Sequence, residues 1–551
     1  MKRLSLGLAL LPILLLVGLL GTNVIFFGED SSFGSNQISL LIAALVAGGI
    51  GMARGVKWDT ISKAIASNIS QATDAIIILL LIGALTGTWL LAGIIPAFIH
   101  YGLQILEPSI FLFAACIVCA VLSLATGSSW GTIGTVGIAL IGIGSALGIH
   151  EGWVAGAIIS GAYFGDKLSP LSDTTNLAPA VAGTDLITHI KYMTITTIPS
   201  IAIALLVFLV VGFIGVSESK DLVYNEIFSE VISSKFNIHV GLFIAPMIVL
   251  IMIAKKVPAS AALFVGVLLG GLSAIIFQPQ AIKELAGKEL SFAEASYYSS
   301  ITAMAVETQF TSCEKKCEAA LISDIKKFSV HRNRLDSLLD KVMAWLDVSF
   351  EEYYSDLDAN KQKVLRQKAL NQAKSQEYPK YQEFLLLSIK KDVDGLLKAK
   401  GMQGMMNTIW LIICAMVFGA VLQAVGILKR ITEGLISGVN SVVGLIGSTV
   451  GTCLAFNVLA SDQYIAIVVP GKMFSEAYEE QNLAPENLSR TLEDAGTVTS
   501  VLIPWNTCGV AQSGILGVAV LAYAPFCIFN WVSPIMSIVI ASLGYKIKRL
   551  E

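Results

Sequence analysis

Between Gly161 and Pro179 the chain reads GAYFGDKLSPLSDTTNLAP, which places Asp166, Lys167, Asp173 and Asn176 among Ser169, Ser172, Thr174 and Thr175. Carboxylate, amide and hydroxyl oxygens are hard ligands suited to a small hard cation. A softer metal would draw Cys and His, and neither clusters here. A carboxylate kept from water also holds its proton more tightly. Such a group can carry either a proton or a cation near neutral pH, and that competition is the chemical core of exchange. Asp166 and Asp173 are seven residues apart and share a face only in a continuous helix; Pro170 is expected to break it. Lys167 either neutralises the carboxylates or meets a substrate anion.

Further polar breaks stand in equally apolar surroundings. ATGSSWGT (Ala125–Thr132) supplies Ser128 and Ser129, and FNVLASDQY (Phe456–Tyr464) supplies Ser461 and Asp462. SRTLEDAGTVTSVLIPWNTCG (Ser489–Gly509) supplies Glu493, Asp494, Thr497, Asn506 and Thr507. There Arg490 is a candidate partner for Glu493 or Asp494. Structural readings stand beside these: Asp166 and Lys167 as an interfacial pair, Asp494 as a helix cap, His150 and Glu151 as a solvated helix end.

The elements that must position these groups are membrane helices. Of 551 residues, 55% are hydrophobic and 14% charged, against about 25% charged in soluble domains. Spans of roughly 17–25 apolar residues are expected at Leu4–Phe27, Gln37–Met52, Asp74–His100, Ser109–Thr126, Thr132–Ile149, Tyr192–Val216, His239–Ala254, Val257–Phe277, Met405–Leu428, Gly434–Phe456 and Gly514–Leu543. Shorter, interrupted pieces are expected near Trp153–Gly165, Tyr464–Val469 and Thr497–Ala511. The first span is read as a retained helix rather than a cleaved signal. Lys and Arg at alternate span ends place both termini in the cytoplasm. Six cysteines (Cys116, Cys119, Cys414, Cys453, Cys508, Cys527) are read as buried small side chains.

Residues 310–400 differ in kind. They hold 17 of the 37 Lys and Arg and 14 of the 40 Asp and Glu, too much charge for a membrane interior. Leu335, Leu338, Leu339, Val342, Met343 and Leu346 have helical spacing, as do Phe384, Leu385, Leu386, Ile389 and Leu396. A soluble helical insert is expected, outside the membrane by span count, with Cys313 and Cys317 unpaired or bonded to another chain.

IGALTGTWLLAG (Ile82–Gly93) and CAMVFGAVLQAVG (Cys414–Gly426) are each followed by two polar breaks at similar distances. Matching order with opposite starting sides reads as an inverted repeat. Interrupted helices at corresponding places in two halves point to a transporter site, where freed carbonyls hold cations and half-helix N-termini favour anions. The expected fold is therefore an all-α polytopic membrane protein, an inverted-repeat secondary transporter with broken helices and a soluble helical insert. Its parts are residues 1–73 (N-terminal helices), 74–277 (first repeat and following helices), 310–400 (insert) and 401–551 (second repeat).

The stretches GSSWGTIGTVG (Gly127–Gly137), SGAYFGDKLSPLSDTTNLAP (Ser160–Pro179) and Ser489–Gly509 resemble the NhaC family of Na+/H+ antiporters, as do TWLLAGIIPAFIHYGL (Thr88–Leu103) and SDQYIAIVVPGKMF (Ser461–Phe474). The resemblance implies exchange of cytoplasmic Na+ for external protons in a bacterial inner membrane. Asp166, Ser169, Asp173, Thr175 and Asn176 match the first motif, and Glu493, Asp494, Thr497, Asn506 and Thr507 the second. The five acidic residues Asp166, Asp173, Asp462, Glu493 and Asp494 are the candidates for ion and proton exchange, with Na+ expected at Asp166, Asp173 and Asp494. The insert departs from the family pattern.

An alternative is a Na+-coupled organic acid exchanger of the malate/lactate type. No HExxH, Ser–His pairing or GxxxxGK[ST] loop argues for an enzyme or a primary pump. We expect no catalytic activity, no cofactor beyond transported Na+ and H+, and no nucleic-acid partner. The lipid bilayer is the expected surrounding. A homo-oligomer and a partner for the insert are left open.

Overall fold

The computed structural model describes residues 4–27, 34–105, 107–215, 232–233, 235–255, 257–287, 290–310, 393–394, 396–436 and 441–550. Among these, nine helices are long and apolar enough to cross a membrane, or ten if one bent pair counts as a span. Large apolar side chains such as Phe264, Leu268, Leu272 and Ile276 point outward at helical spacing. That is the surface a lipid-facing helix presents, because lipid tails are as apolar as the side chains they touch. The chain is a mostly helical, multi-pass membrane protein.

Ten helices carry the site. In the first half they are α1 (Pro108–Thr126), α2 (Ser129–Ala146), α3 (Glu151–Leu168), α4 (Asp173–Ala182) and α5 (Leu186–Gly215). In the second half they are α6 (Val442–Leu459), α7 (Gln463–Glu480), α8 (Pro485–Leu492), α9 (Thr507–Leu516) and α10 (Ile528–Ser542). α8 runs on through a π-helical turn at Glu493–Thr497 into a short 3-10 turn at Ser500–Leu502.

The halves keep one register. The interval from Ser129 to Gln463 recurs from Glu151 to Pro485, from Asp173 to Thr507 and from Gly183 to Gly517. Local chemistry repeats with it. Gly127 (φ 68°) and Ser461 (φ 59°) both turn left-handed. The next residue then caps the following helix: Ser128 Oγ accepts from Gly131 N and Asp462 Oδ1 from Ile465 N, both at 3.0 Å. Ser461 has a side chain where the first half has glycine, so its turn costs about 1–2 kcal/mol that the surrounding contacts must offset.

Several spans differ from expectation, Tyr464–Val469 among them, which is continuous within α7. Asp74–His100 is two helices, Thr73–Leu91 and Ile94–Ile105, because Gly93 turns left-handed (φ 75°) and ends the first. Gly514–Leu543 is not one span: Thr507–Leu516 meets Val520–Phe526 at 86°, after a left-handed Gly517. Trp153–Gly165 is uninterrupted within α3. Its glycines serve packing instead. α1 and α3 form the most extensive helix pair, and a methyl group at Gly161 or Gly165 would overlap the carbonyl oxygen of Cys116 or Ala120. Ser123 Oγ donates to Ala162 O at 2.6 Å across the same seam. This is a GxxxG contact, in which small residues let two backbones touch. Gly161→Val is therefore expected to destabilise the protein by about 3 kcal/mol, since the obstacle is backbone that cannot rotate away. A melting curve in detergent reads it.

The insert's two ends come together. β1 (Thr308–Gln309) pairs antiparallel with β2 (Lys398–Ala399), and Lys398 ion-pairs with Glu307 at 2.9 Å. The helices expected within it, and Cys313 and Cys317, lie outside the described residues. The six cysteines of the apolar segments are all buried and unbridged.

Candidate functional site

The break after α3 is built by its own side chains. Thr175 Oγ1 donates to the carbonyls of Asp166 (3.2 Å) and Lys167 (3.0 Å), satisfying backbone that the ending helix leaves open. Asn176 Nδ2 donates to Ser172 O at 2.7 Å and to Pro170 O at 3.0 Å. Ser172 Oγ accepts from Thr175 N and starts α4, and Ser169 Oγ accepts from Leu171 N. Pro170 sits in this break as expected. Thr175 and Asn176 thus hold the turn in shape.

Asp166 projects from the last turn of α3 toward the start of α2. Its Oδ2 accepts from Ser129 N at 3.2 Å and Ser129 Oγ at 2.7 Å. The Ser172 hydroxyl lies beside the same carboxylate and 3.2 Å from Thr174 Oγ1. Thr174 Oγ1 in turn donates to Glu493 Oε1 at 3.0 Å. A line of hydroxyls therefore joins Asp166 in one half to Glu493 in the other.

Glu493 and Asp494 are both wholly buried, yet their situations are opposite. Asp494 is saturated. Oδ1 receives Lys167 Nζ, Ser533 Oγ at 3.0 Å and Thr196 Oγ1 at 3.2 Å, while Oδ2 receives Ser537 Oγ. Lys167 is also wholly buried and gives a further bond to Ser533 at 3.0 Å. Glu493 keeps Oε2 without a hydrogen-bond partner. Lys167 therefore pairs with Asp494, while Glu493 keeps an oxygen without a hydrogen-bond partner, with the Thr497 hydroxyl nearby. Both acids sit in or at the head of the π-helical turn, a geometry that recurs at functional sites because it displaces backbone from the regular ladder.

The remaining candidates are placed as follows. Asp173 opens α4 and is exposed. Asp462 and Ser461 form the turn before α7, and Ser461 O accepts from Thr507 N at 2.9 Å. Asn506 caps α9 through Cys508 N at 3.0 Å and bonds Asn457, whose amide reaches Gly496 O at 2.7 Å under the π turn. Thr507 Oγ1 is 3.5 Å from Asn506 Oδ1, and Thr497 is buried within the π turn. In register Asp462 stands opposite Ser128, but Glu493 and Asp494 stand opposite Ile159 and Ser160. The halves share backbone geometry and differ in charge. Arg490 bonds neither Glu493 nor Asp494. Thr196, Ser533 and Ser537 complete this arrangement, and their trace in the sequence is a pair of serines four apart in an apolar helix.

The sequence pattern of the Na+/H+ antiporter family matches residues 161–296 and 380–545. The malate-2H+/Na+-lactate antiporter of Bacillus subtilis (strain 168) is 30% identical over 511 residues, 92% of this chain and 89% of that protein. The Na+/H+ antiporter NhaC of Alkalihalophilus pseudofirmus is 29% identical over 550 residues, 100% of this chain and 98% of that protein. The arginine/ornithine antiporter ArcD of Halobacterium salinarum is 31% identical over 549 residues, 99% of this chain and 93% of that protein. Both site motifs, from Gly161 onward and around Glu493, fall inside the family match, and the chain belongs to the Na+/H+ antiporter family.

Proposed function

We propose that this chain exports Na+ in exchange for protons, and that Glu493 is the group that takes them in turn. The observation that carries this reading is the contrast between adjacent acids: Asp494 has no oxygen to spare, while Glu493 is buried with Oε2 unpartnered. Thr174, Ser172 and Asp166 extend the ligand set with hydroxyls and a second carboxylate. Among the described residues no group of three or more His, Cys, Asp or Glu assembles. One or two carboxylates with neutral oxygens suit a singly charged hard cation better than a divalent one.

The exchange follows from the competition. A proton on Glu493 leaves a hydroxyl donor and no charge for Na+. Its loss exposes an anion beside Thr174, which a cation can approach through Oε2. Lys167 bonds Asp494, and its charge also reaches Glu493.

Proton release on adding Na+, Li+ or K+ to proteoliposomes holding a pH gradient tests the reading. Fluorescence dequenching with Na+ is the expected result; none with any of the three ions overturns it. In Asp166→Asn the amide oxygen can still face Ser129 while the charge is lost. The Na+ concentration giving half-maximal dequenching is then expected to rise at least about tenfold, as for a lost charge-assisted contact of about 1.5–3 kcal/mol.

A second reading adds an organic acid to the exchange. Two of the relatives are named for malate and lactate or for arginine and ornithine. The observation that favours it is a buried guanidinium, Arg490, with no hydrogen-bond partner.

A further inference from the structure

We propose that Arg490 is the docking group for a small organic carboxylate, which rests on that second reading and names the site for it. Arg490 lies on α8, three residues before Glu493, and is wholly buried. Its Nε and both terminal nitrogens lack hydrogen-bond partners. A guanidinium carries five donors in a rigid fork and stays charged. Burying that fork unsatisfied costs several kcal/mol, so the site is built for a group that fills it.

None of the neighbouring acids bonds the fork, although Glu486 and Glu493 each keep one oxygen without a partner. Glu486, one turn earlier on the same helix, pairs with Lys548 at 2.6 Å. Glu493 Oε1 takes its bond from Thr174, and Asp494 is held by Lys167. What surrounds the fork fits a planar anion instead. The Tyr192 ring centroid lies 4.7 Å from the guanidinium carbon, a contact that satisfies none of the N–H donors. A carboxylate is the planar group that meets two parallel N–H donors at once.

The place is closed to solvent. The Tyr192 hydroxyl lies 2.6 Å from Asn487 Oδ1 and 2.7 Å from Lys546 O. The C-terminal tail is laced to the start of α8 by Ala484 N to Lys548 O (3.0 Å) and Asn487 Nδ2 to Lys548 O (2.7 Å). A carboxylate at Arg490 would sit within a helical turn of Glu493. Its negative charge there would favour Na+ over an empty, deprotonated site, so the two cargoes would bind cooperatively.

The test titrates purified protein, in detergent with Na+ present, with L-malate, L-lactate and methyl L-lactate in a calorimeter. Na+-driven proton release is measured separately without organic acid. Saturable binding of malate or lactate, with none for the uncharged ester, is expected. Arg490→Lys keeps the charge, removes the fork, and should weaken binding at least about tenfold. Tyr192→Leu should weaken it about threefold, the scale of a lost cation–π contact. If Arg490→Lys does not fold, the ester comparison and Tyr192→Leu decide. Equal binding to wild type and Arg490→Lys, equal binding of ester and acid, or saturation by neither acid overturns the proposal. Absent Na+-driven proton release in the wild type overturns the Na+/H+ reading alone, and the calorimetry still reports on Arg490.

Discussion

Glu493→Gln is expected to abolish Na+-dependent proton release while leaving the protein inserted, folded and monodisperse. The substitution keeps size and keeps an oxygen for Thr174 Oγ1, which now sits at 3.0 Å. It removes the one wholly buried carboxylate that has an unpartnered oxygen among the candidates. The amide can neither take a proton nor compensate a cation, so both half-reactions fail together. In the wild type the two ions compete for one group. Acidification protonates Glu493 and raises the Na+ concentration needed for half-maximal exchange, by about tenfold per pH unit for each proton displaced. Raising the pH lowers it until the group is fully ionised. A pH series of dequenching titrations reads this slope. Wild-type rates in Glu493→Gln, or an Na+ requirement that does not move with pH, would remove Glu493 from the exchange.

Much of this site was legible before the fold was. Helical spans, the break at Pro170 and the polar motifs follow from residue types, because a carboxylate or a proline in an apolar segment has few explanations. The glycine pair in GAYFG was equally visible, but its meaning is a contact with α1, and no spacing rule names the partner. The same holds for Asp494. Its locking needs Lys167, Thr196, Ser533 and Ser537 from three other helices. Nothing local distinguishes it from Glu493 next door. Gly127 predicts a left-handed turn by its type, whereas Ser461 adopts the same conformation without the signal. The polar breaks mark the repeat, whereas its register rests on helix ends that no residue type marks.

Lys167 and Asp494 are expected to behave as one unit in stability. Removing either partner strands a wholly buried charge, since each has 0% exposure. Breaking such a pair costs about 3–5 kcal/mol, while replacing both members with apolar residues of similar volume is close to neutral. Asp494→Asn and Lys167→Met should each lower the melting temperature and the folded yield sharply. The double variant Lys167→Met/Asp494→Leu should recover most of the loss, apart from the hydroxyls of Ser533, Ser537 and Thr196, which lose their acceptor. The resulting double-mutant cycle gives the coupling directly. This separates two ways of losing transport. Glu493→Gln should be inactive at wild-type stability, because it removes an exchangeable group. Asp494→Asn should lose activity in step with its fold, because it removes a counter-ion. An Asp494→Asn protein that melts like wild type and yet moves no Na+ would place Asp494 in the ion path instead, with Lys167 displaced from it at each turn of the cycle.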